Sequence, residues 1–177
     1  AMRSVASPPV PFKTRIGSAD PREYASVREF VAVVAAAGCD TFVIHARKAY
    51  LAGLSPKENR TIPPLRHNIV YQLRRDFPRL ELIINGGIDT EAGIRQQFAA
   101  GLDGVMIGRK AYADPWWLTE VDRLFLADGA TTPLTTRPIV VAAMAAYARR
   151  EGGGGTRLHH VSRHLLGLYH GQPGARI

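Results

Sequence analysis

Apolar residues in the first two-thirds of the chain come in short runs that alternate with stretches of helical period. A β-rich run over 10–16 closes at Gly17. Asp20-Pro21 then supplies an N-cap and a proline for the first helical turn. Tyr24, Val27, Val31 and Val34 repeat at helical spacing until Gly38 ends the segment. The same alternation predicts strands at 41–44, 80–84 and 104–107. It predicts helices at 66–77 (Ile69, Val70, Leu73 and Phe77 on one side, Pro78 as the stop), at 90–100, and at 115–127 with Asp114 as cap. Strands and helices in this order imply an α/β fold with a parallel sheet. After Gly129 the strands cease. Two helical stretches, 138–150 and 158–170, are joined by the glycines at 152–155, which read as a flexible turn.

Composition narrows the classes. Of the 177 residues, 46% are hydrophobic, which excludes a disordered chain. No apolar run approaches ~18 residues, so no membrane span is expected. The opening segment has no apolar core and carries Pro8, Pro9 and Pro11, unlike a signal peptide. The single cysteine excludes an internal disulfide and fits a reducing, cytoplasmic setting. The net charge of +8 is uneven: residues 128–177 hold six arginines against Asp128 and Glu151, with four of the six histidines. A polyanionic partner would require such an excess, and an ordinary basic surface would show it equally well.

Two motifs at strand ends carry more. Ile83-Ile84-Asn85-Gly86-Gly87-Ile88 and Gly104-Val105-Met106-Ile107-Gly108-Arg109 each run from apolar residues into glycine and then into a helix start. Glycine lets backbone N–H groups approach a ligand, and a helix N-terminus favours an anion. Consecutive units of this kind resemble the phosphate site after strands 7 and 8 of a (β/α)8 TIM barrel. On that reading the four strands are strands 5–8, strand 8 has no partner, and the chain is the C-terminal portion of a longer protein.

Candidate chemistry clusters at the same strand ends. Lys13 and Arg15 share one face of the first strand, opposite Phe12 and Thr14. A barrel-facing lysine needs an anion or polar ligand; an edge strand would leave it in solvent. His45 ends its strand, where barrel enzymes place their chemistry and where structural histidines also occur. Cys39 begins that strand, roughly 20 Å from His45, and reads as structural. The 46–65 connection is long, broken by Gly53, Pro56, Pro63 and Pro64. Between Arg47 and Arg66 it holds five cations against Glu58, suiting either a phosphate-rich substrate or a solvated lid.

A family resemblance emerges here. The string His45-Ala46-Arg47-Lys48-Ala49-Tyr50-Leu51 through Gly53-Leu54-Ser55-Pro56-Lys57-Glu58-Asn59-Arg60 to Ile62-Pro63-Pro64-Leu65-Arg66 closely resembles the tRNA-dihydrouridine synthases, in particular their A subfamily. The likeness continues through Val70-Tyr71-Gln72-Leu73, both glycine motifs, Ala111-Tyr112, Pro115, Arg163-His164-Leu165-Leu166-Gly167-Leu168-Tyr169 and Gly171-Gln172-Pro173-Gly174-Ala175-Arg176. It covers nearly the whole chain.

The resemblance implies a cytoplasmic flavoprotein, monomeric when intact and without a metal. It binds FMN, takes electrons from NADPH, and reduces uridine in the tRNA D-loop to 5,6-dihydrouridine. Lys13 and His45 match positions against the flavin ring. Asn85, Gly86, Gly87, Gly108 and Arg109 match those that hold its phosphate. Lys57, Arg60, Arg163 and Arg176 match the tRNA-binding surface. It implies residues 1–128 as the C-terminal half of the FMN-binding barrel and 129–177 as an incomplete helical tRNA-binding domain. The family's catalytic cysteine belongs to the earlier half of the barrel and has no counterpart here, so the chain alone is expected to be inactive. Two other readings stand beside this one: another FMN-dependent barrel oxidoreductase acting on a small molecule, and a non-catalytic RNA-binding remnant. A plain phosphate-binding barrel without flavin is a third.

Overall fold

A computed structural model describes residues 10–17, 23–125 and 135–175. They fall into two compact units, Ala1–Ile107 and Gly108–Ile177. The boundary expected near 128 lies outside the described residues.

The first unit is an α/β layer. In chain order it contains β1 (Phe12–Arg15), α1 (Glu23–Ala36), β2 (Thr41–His45), α2 (His67–Asp76), β3 (Glu81–Asn85), α3 (Glu91–Ala99) and β4 (Gly104–Met106). The strands lie in the order β1-β2-β3-β4, every pair parallel. Successive side chains point to opposite faces, so the register sorts the residues. Phe12, Phe42, Ile44, Leu82 and Ile84 share one face, and Phe42, Ile44, Leu82 and Ile84 are fully buried. Lys13, Arg15, Val43, His45, Ile83 and Asn85 share the other.

Apolar helix positions complete the core. Val27 and Val31 of α1, Ile69, Val70 and Leu73 of α2, and Ile94 of α3 are buried, and Phe30 meets Phe12 edge-on at 5.4 Å. Each such side chain contributes about 1.5–3 kcal/mol. An exposed pair such as Arg95–Glu91 adds ~0–1 kcal/mol, so the core decides the fold. The buried Gln97 is satisfied: Tyr71 donates to its Oε1 at 2.9 Å and its Nε2 donates to the Gly93 carbonyl.

Polar groups fix the layers at their edges. Asp103 accepts from the Leu82 backbone N–H at 2.8 Å and pairs with Arg74 at 3.2 Å, tying α2 to the base of β3. Asp76 accepts from the Tyr24 hydroxyl and from Arg28, both at 2.7 Å, which joins α2 to α1. The Tyr24 bond holds the Asp76 carboxyl below its usual range. Burial, then Asp76, pushes the Tyr24 phenol up to about 12.

The predicted strands and first three helices appear within a residue or two. Residues 18–22, with the expected cap at Asp20-Pro21, lie outside the described residues. Thr90 caps α3, its Oγ1 accepting from the Gly93 N–H at 3.1 Å. Phe77, preceding Pro78, leaves helical geometry at φ −124 and ψ 65, as a pre-proline residue must.

The second unit departs further from expectation. A short helix α4 (Arg109–Ala113) precedes a single 3-10 turn at Pro115–Trp117 and α5 (Leu118–Phe125). Asp114 does not cap a helix. It sits before Pro115 at φ −142 and ψ 72, and its carboxylate takes Lys110 Nζ at 2.8 Å. Helix α6 (Arg137–Gly153) starts at Thr136, whose hydroxyl accepts from Ile139, and runs on through two glycines expected to be a turn. The turn comes at Gly154 and at Gly155 with φ +91. Helix α7 is only Leu158–Ser162, short of the expected 158–170; beyond it the backbone bonds shorten to three-residue spacing, as in Leu168 to Leu165.

Candidate functional site

The C-terminal ends of β1, β2 and β3 lie side by side, with Arg15 opposite His45 and His45 opposite Asn85. Parallel pairing makes this unavoidable, since every strand delivers its last residue to the same edge. A cleft of about 490 Å³ opens there, lined by Lys13, Thr14, Arg15, His45, Arg60 and Asn85. Among the described residues that line it, three are cations and none is an acid. Lys13 forms no hydrogen bond or ion pair with any described residue. A donor-rich cleft of this kind favours an anionic or carbonyl-rich ligand.

Each donor is held differently. Asn85 Nδ2 donates to the Met106 carbonyl at 2.8 Å, which fixes the amide across the β3–β4 gap. Arg15 is committed to protein: one guanidinium nitrogen donates to the Lys48 carbonyl at 2.8 Å and the Asn59 carbonyl at 2.9 Å. Lys13, one pleat earlier, keeps its ammonium for solvent or ligand.

The turn after β3 is tightly constrained. Gly86 has φ +118, and a Cβ there would meet His45 Cδ2 at 2.8 Å and Leu65 Cδ2 at 3.0 Å. Gly87 has φ +69, and a Cβ there would meet Leu65 Cδ1 at 2.3 Å. Both glycines therefore serve the turn and the packing of His45 first. Any approach of a ligand uses backbone left bare by the same absence of Cβ.

The 46–65 connection is ordered by its own bonds. Asn59 is the hub: its Oδ1 accepts from the Tyr50 N–H at 2.9 Å, and its Nδ2 donates to the Tyr50 and Leu54 carbonyls. Ser55 and Glu58 bond reciprocally at the start of a 3-10 turn (Glu58–Arg60), and Ser55 holds the Glu58 carboxyl below its usual range. The buried Arg47 donates to the Thr61 and Pro63 carbonyls. The turn carries Arg60 into the cleft and leaves Lys57 exposed. Replacing Asn59 with alanine removes three bonds. It should lower stability by about 1–3 kcal/mol and speed proteolysis near Tyr50. Unchanged urea unfolding and cleavage would refute that role.

Lys13, His45, Asn85 and Arg60 thus meet in one cleft, with Gly86 adjoining through the His45 ring. Gly108 and Arg109 open the second unit. Gly108 has φ −111 and open space where a Cβ would stand, so no described residue requires glycine there. Arg109 is exposed as the first residue of α4. Arg163 is exposed at the end of α7, its Nε 3.2 Å from His164 Nε2. Arg176 lies outside the described residues.

Arg15 was legible by alternation with Lys13. Leu65 and Asn59 gave no advance signal, because a loop has no period. Cys39 precedes β2, its Sγ near the Thr41 carbonyl at 3.4 Å, at the end of the strand remote from His45. Among the described residues no group of His, Cys, Asp or Glu could hold a metal ion, and no helix is long and apolar enough to cross a membrane.

The family model of the dihydrouridine synthases matches residues 1–177. The chain is 50% identical over 179 residues to the tRNA-dihydrouridine(20/20a) synthase of Vibrio cholerae serotype O1, covering 99% of this chain and 53% of that protein. It is 51% identical over 177 residues to the Salmonella typhi protein of the same name, with 99% and 52% covered. Against that of Escherichia coli K12 it is 51% identical over 180 residues, with 99% and 50% covered. The chain spans about half the length of the curated relatives it matches.

Proposed function

This chain belongs to the dihydrouridine synthase family, and from that premise we propose that it is part of an FMN-dependent tRNA-dihydrouridine synthase. In this reading residues 1–128 are the last four βα units of a (β/α)8 barrel, and 129–177 belong to a helical tRNA-binding domain. Four parallel strands in simple sequential order, all ending at one edge, support the barrel portion.

One observation carries the site: a lysine with no partner among the described residues stands beside His45 and Asn85 at the strand ends, and none of the described residues lining that cleft is an acid. That donor set fits a flavin mononucleotide, whose carbonyls, ring nitrogens and phosphate are acceptors. Bound there, the flavin supplies hydride transfer, with NADPH as its reductant. Lys13 Nζ offers a cation that favours added negative charge on the bound group. His45 shares the cleft, its ring bounded by Gly86. The Asn85 amide is held in one orientation by Met106. Asn85, Gly86 and Gly87 would hold the phosphate, a role the resemblance also assigns to Gly108 and Arg109.

The loop supports RNA as the substrate class. Arg60 lies in the cleft with Lys13, while Lys57, three residues away, faces solvent. One segment therefore presents cations both to a polyanion and to the cofactor cleft. The resemblance assigns Arg163 and Arg176 to tRNA as well. A target uridine in the D-loop must leave its stack to reach such a cleft. The chain offers no thiol at the strand ends to protonate the uracil ring, because Cys39 lies at the opposite end.

Flavin fluorescence tests this directly. FMN should bind the chain saturably, and Lys13→Ala should weaken it about tenfold. Binding of tRNA should fall steeply with salt. With FMN and NADPH the chain should form no dihydrouridine in tRNA; turnover would overturn the assignment of the acid to the part of the relatives that this chain does not cover. FMN binding without tRNA binding would favour a small-molecule oxidoreductase. Binding of tRNA without flavin would favour a non-catalytic remnant.

A further inference from the structure

Among the described residues, one polar side chain outside the cleft hydrogen-bonds the glycine turn after β3. His67, the first residue of α2, places Nε2 at 2.9 Å from the Gly86 carbonyl oxygen. A carbonyl has no proton to give, so His67 donates. The peptide joining Gly86 to Gly87 is trans, so its C=O and N–H point in opposite directions. Capturing the carbonyl from α2 therefore aims the Gly87 N–H away from that helix. That N–H finds no acceptor among the described residues.

Such a peptide needs a restraint. Both flanking residues are glycines at φ +118 and φ +69, without a Cβ to stop the plane from rotating. A donor whose direction drifts binds an anion weakly, because its ordering must be supplied on binding. We propose that His67 is a positioning residue for the cofactor's phosphate monoester. By holding the Gly86 carbonyl, it locks the Gly87 N–H in the orientation that donates to a phosphate oxygen. The inference rests on the reading of this turn as the FMN phosphate site, and it assigns that site a residue outside the glycine motif.

The test compares FMN with riboflavin, which has the same ring and no phosphate. The wild-type chain should prefer FMN. His67→Leu, which cannot donate, should shrink that preference about tenfold while leaving riboflavin affinity unchanged. His67→Gln, whose amide reaches a similar point, should restore most of it. An unchanged preference in His67→Leu would overturn the proposal. Equal weakening toward both flavins would also overturn it, since that marks a merely structural role. A wild-type chain indifferent to the phosphate, or blind to both flavins, would sink the underlying site reading instead. If His67→Leu fails to fold, the wild-type Gly87 amide resonance decides: it should shift with FMN and not with riboflavin, and identical responses would refute the role.

Discussion

Replacing Gly86 with alanine is expected to destabilise the first unit by about 2–4 kcal/mol and to weaken flavin binding at the same time. Two costs combine. A φ of +118 lies beyond the small left-handed well that other residues tolerate, which alone costs on the order of 1–3 kcal/mol. The new Cβ would also stand 2.8 Å from His45 Cδ2 and 3.0 Å from Leu65 Cδ2, closer than packing allows. The His45 ring must move to relieve the first contact, and the cleft loses its wall. Gly17→Ala separates the two costs, because Gly17 has φ +113 with nothing within 4 Å of its Cβ. Urea unfolding of both variants, with FMN titrations, gives the answer. Equal losses of stability, with His45 and flavin binding undisturbed, would show strain alone. Gly87→Ala should fall below Gly86→Ala, since its φ of +69 is tolerable and its clash is with the end of one leucine.

What could be read in the chain and what could not follows from where the information sits. Phe42-Val43-Ile44 and Leu82-Ile83-Ile84 are apolar runs between breakers, so their strands are local signals, and the helices between them imply the parallel pairing. Alternation put Lys13 and Arg15 on one face, and the register bears that out. Alternation could not say that Arg15 is taken by the Lys48 and Asn59 carbonyls while Lys13 has no partner among the described residues. That depends on how a loop some thirty to forty residues later folds back, and loop hydrogen bonds have no period. Arg60, assigned to tRNA from its place in a motif, lines the same cleft as Lys13 for this reason. The helices of the second unit misled for the opposite reason. Asp114-Pro115 reads as a cap and a first turn, yet the lysine four residues back claims the carboxylate. The glycines at 152 and 153 have low helix propensity but prolong α6 without a break.

The second large effect is expected at Gly167, in a stretch that helical spacing alone would continue as helix. A Cβ there would stand 2.2 Å from the Ala113 carbonyl oxygen, 2.7 Å from its carbon and 3.0 Å from Pro115 Cδ. Unlike the leucine tip facing Gly87, the nearest of these atoms are backbone and cannot swing aside. Gly167→Ala must push the 163–170 turns off the end of α4, separating Tyr112 from the His164 ring it meets edge-on at 5.7 Å. It also threatens the bond from Arg137 Nε to the Leu168 carbonyl at 2.8 Å, which ties the start of α6 to the same turns. A loss of about 2–4 kcal/mol in this unit should follow. Binding of tRNA should fall with it, because Arg163 is carried by the displaced segment. Thermal unfolding and tRNA titration measure the two effects. Full stability with normal tRNA binding would mean that the turns can retreat from α4 without cost.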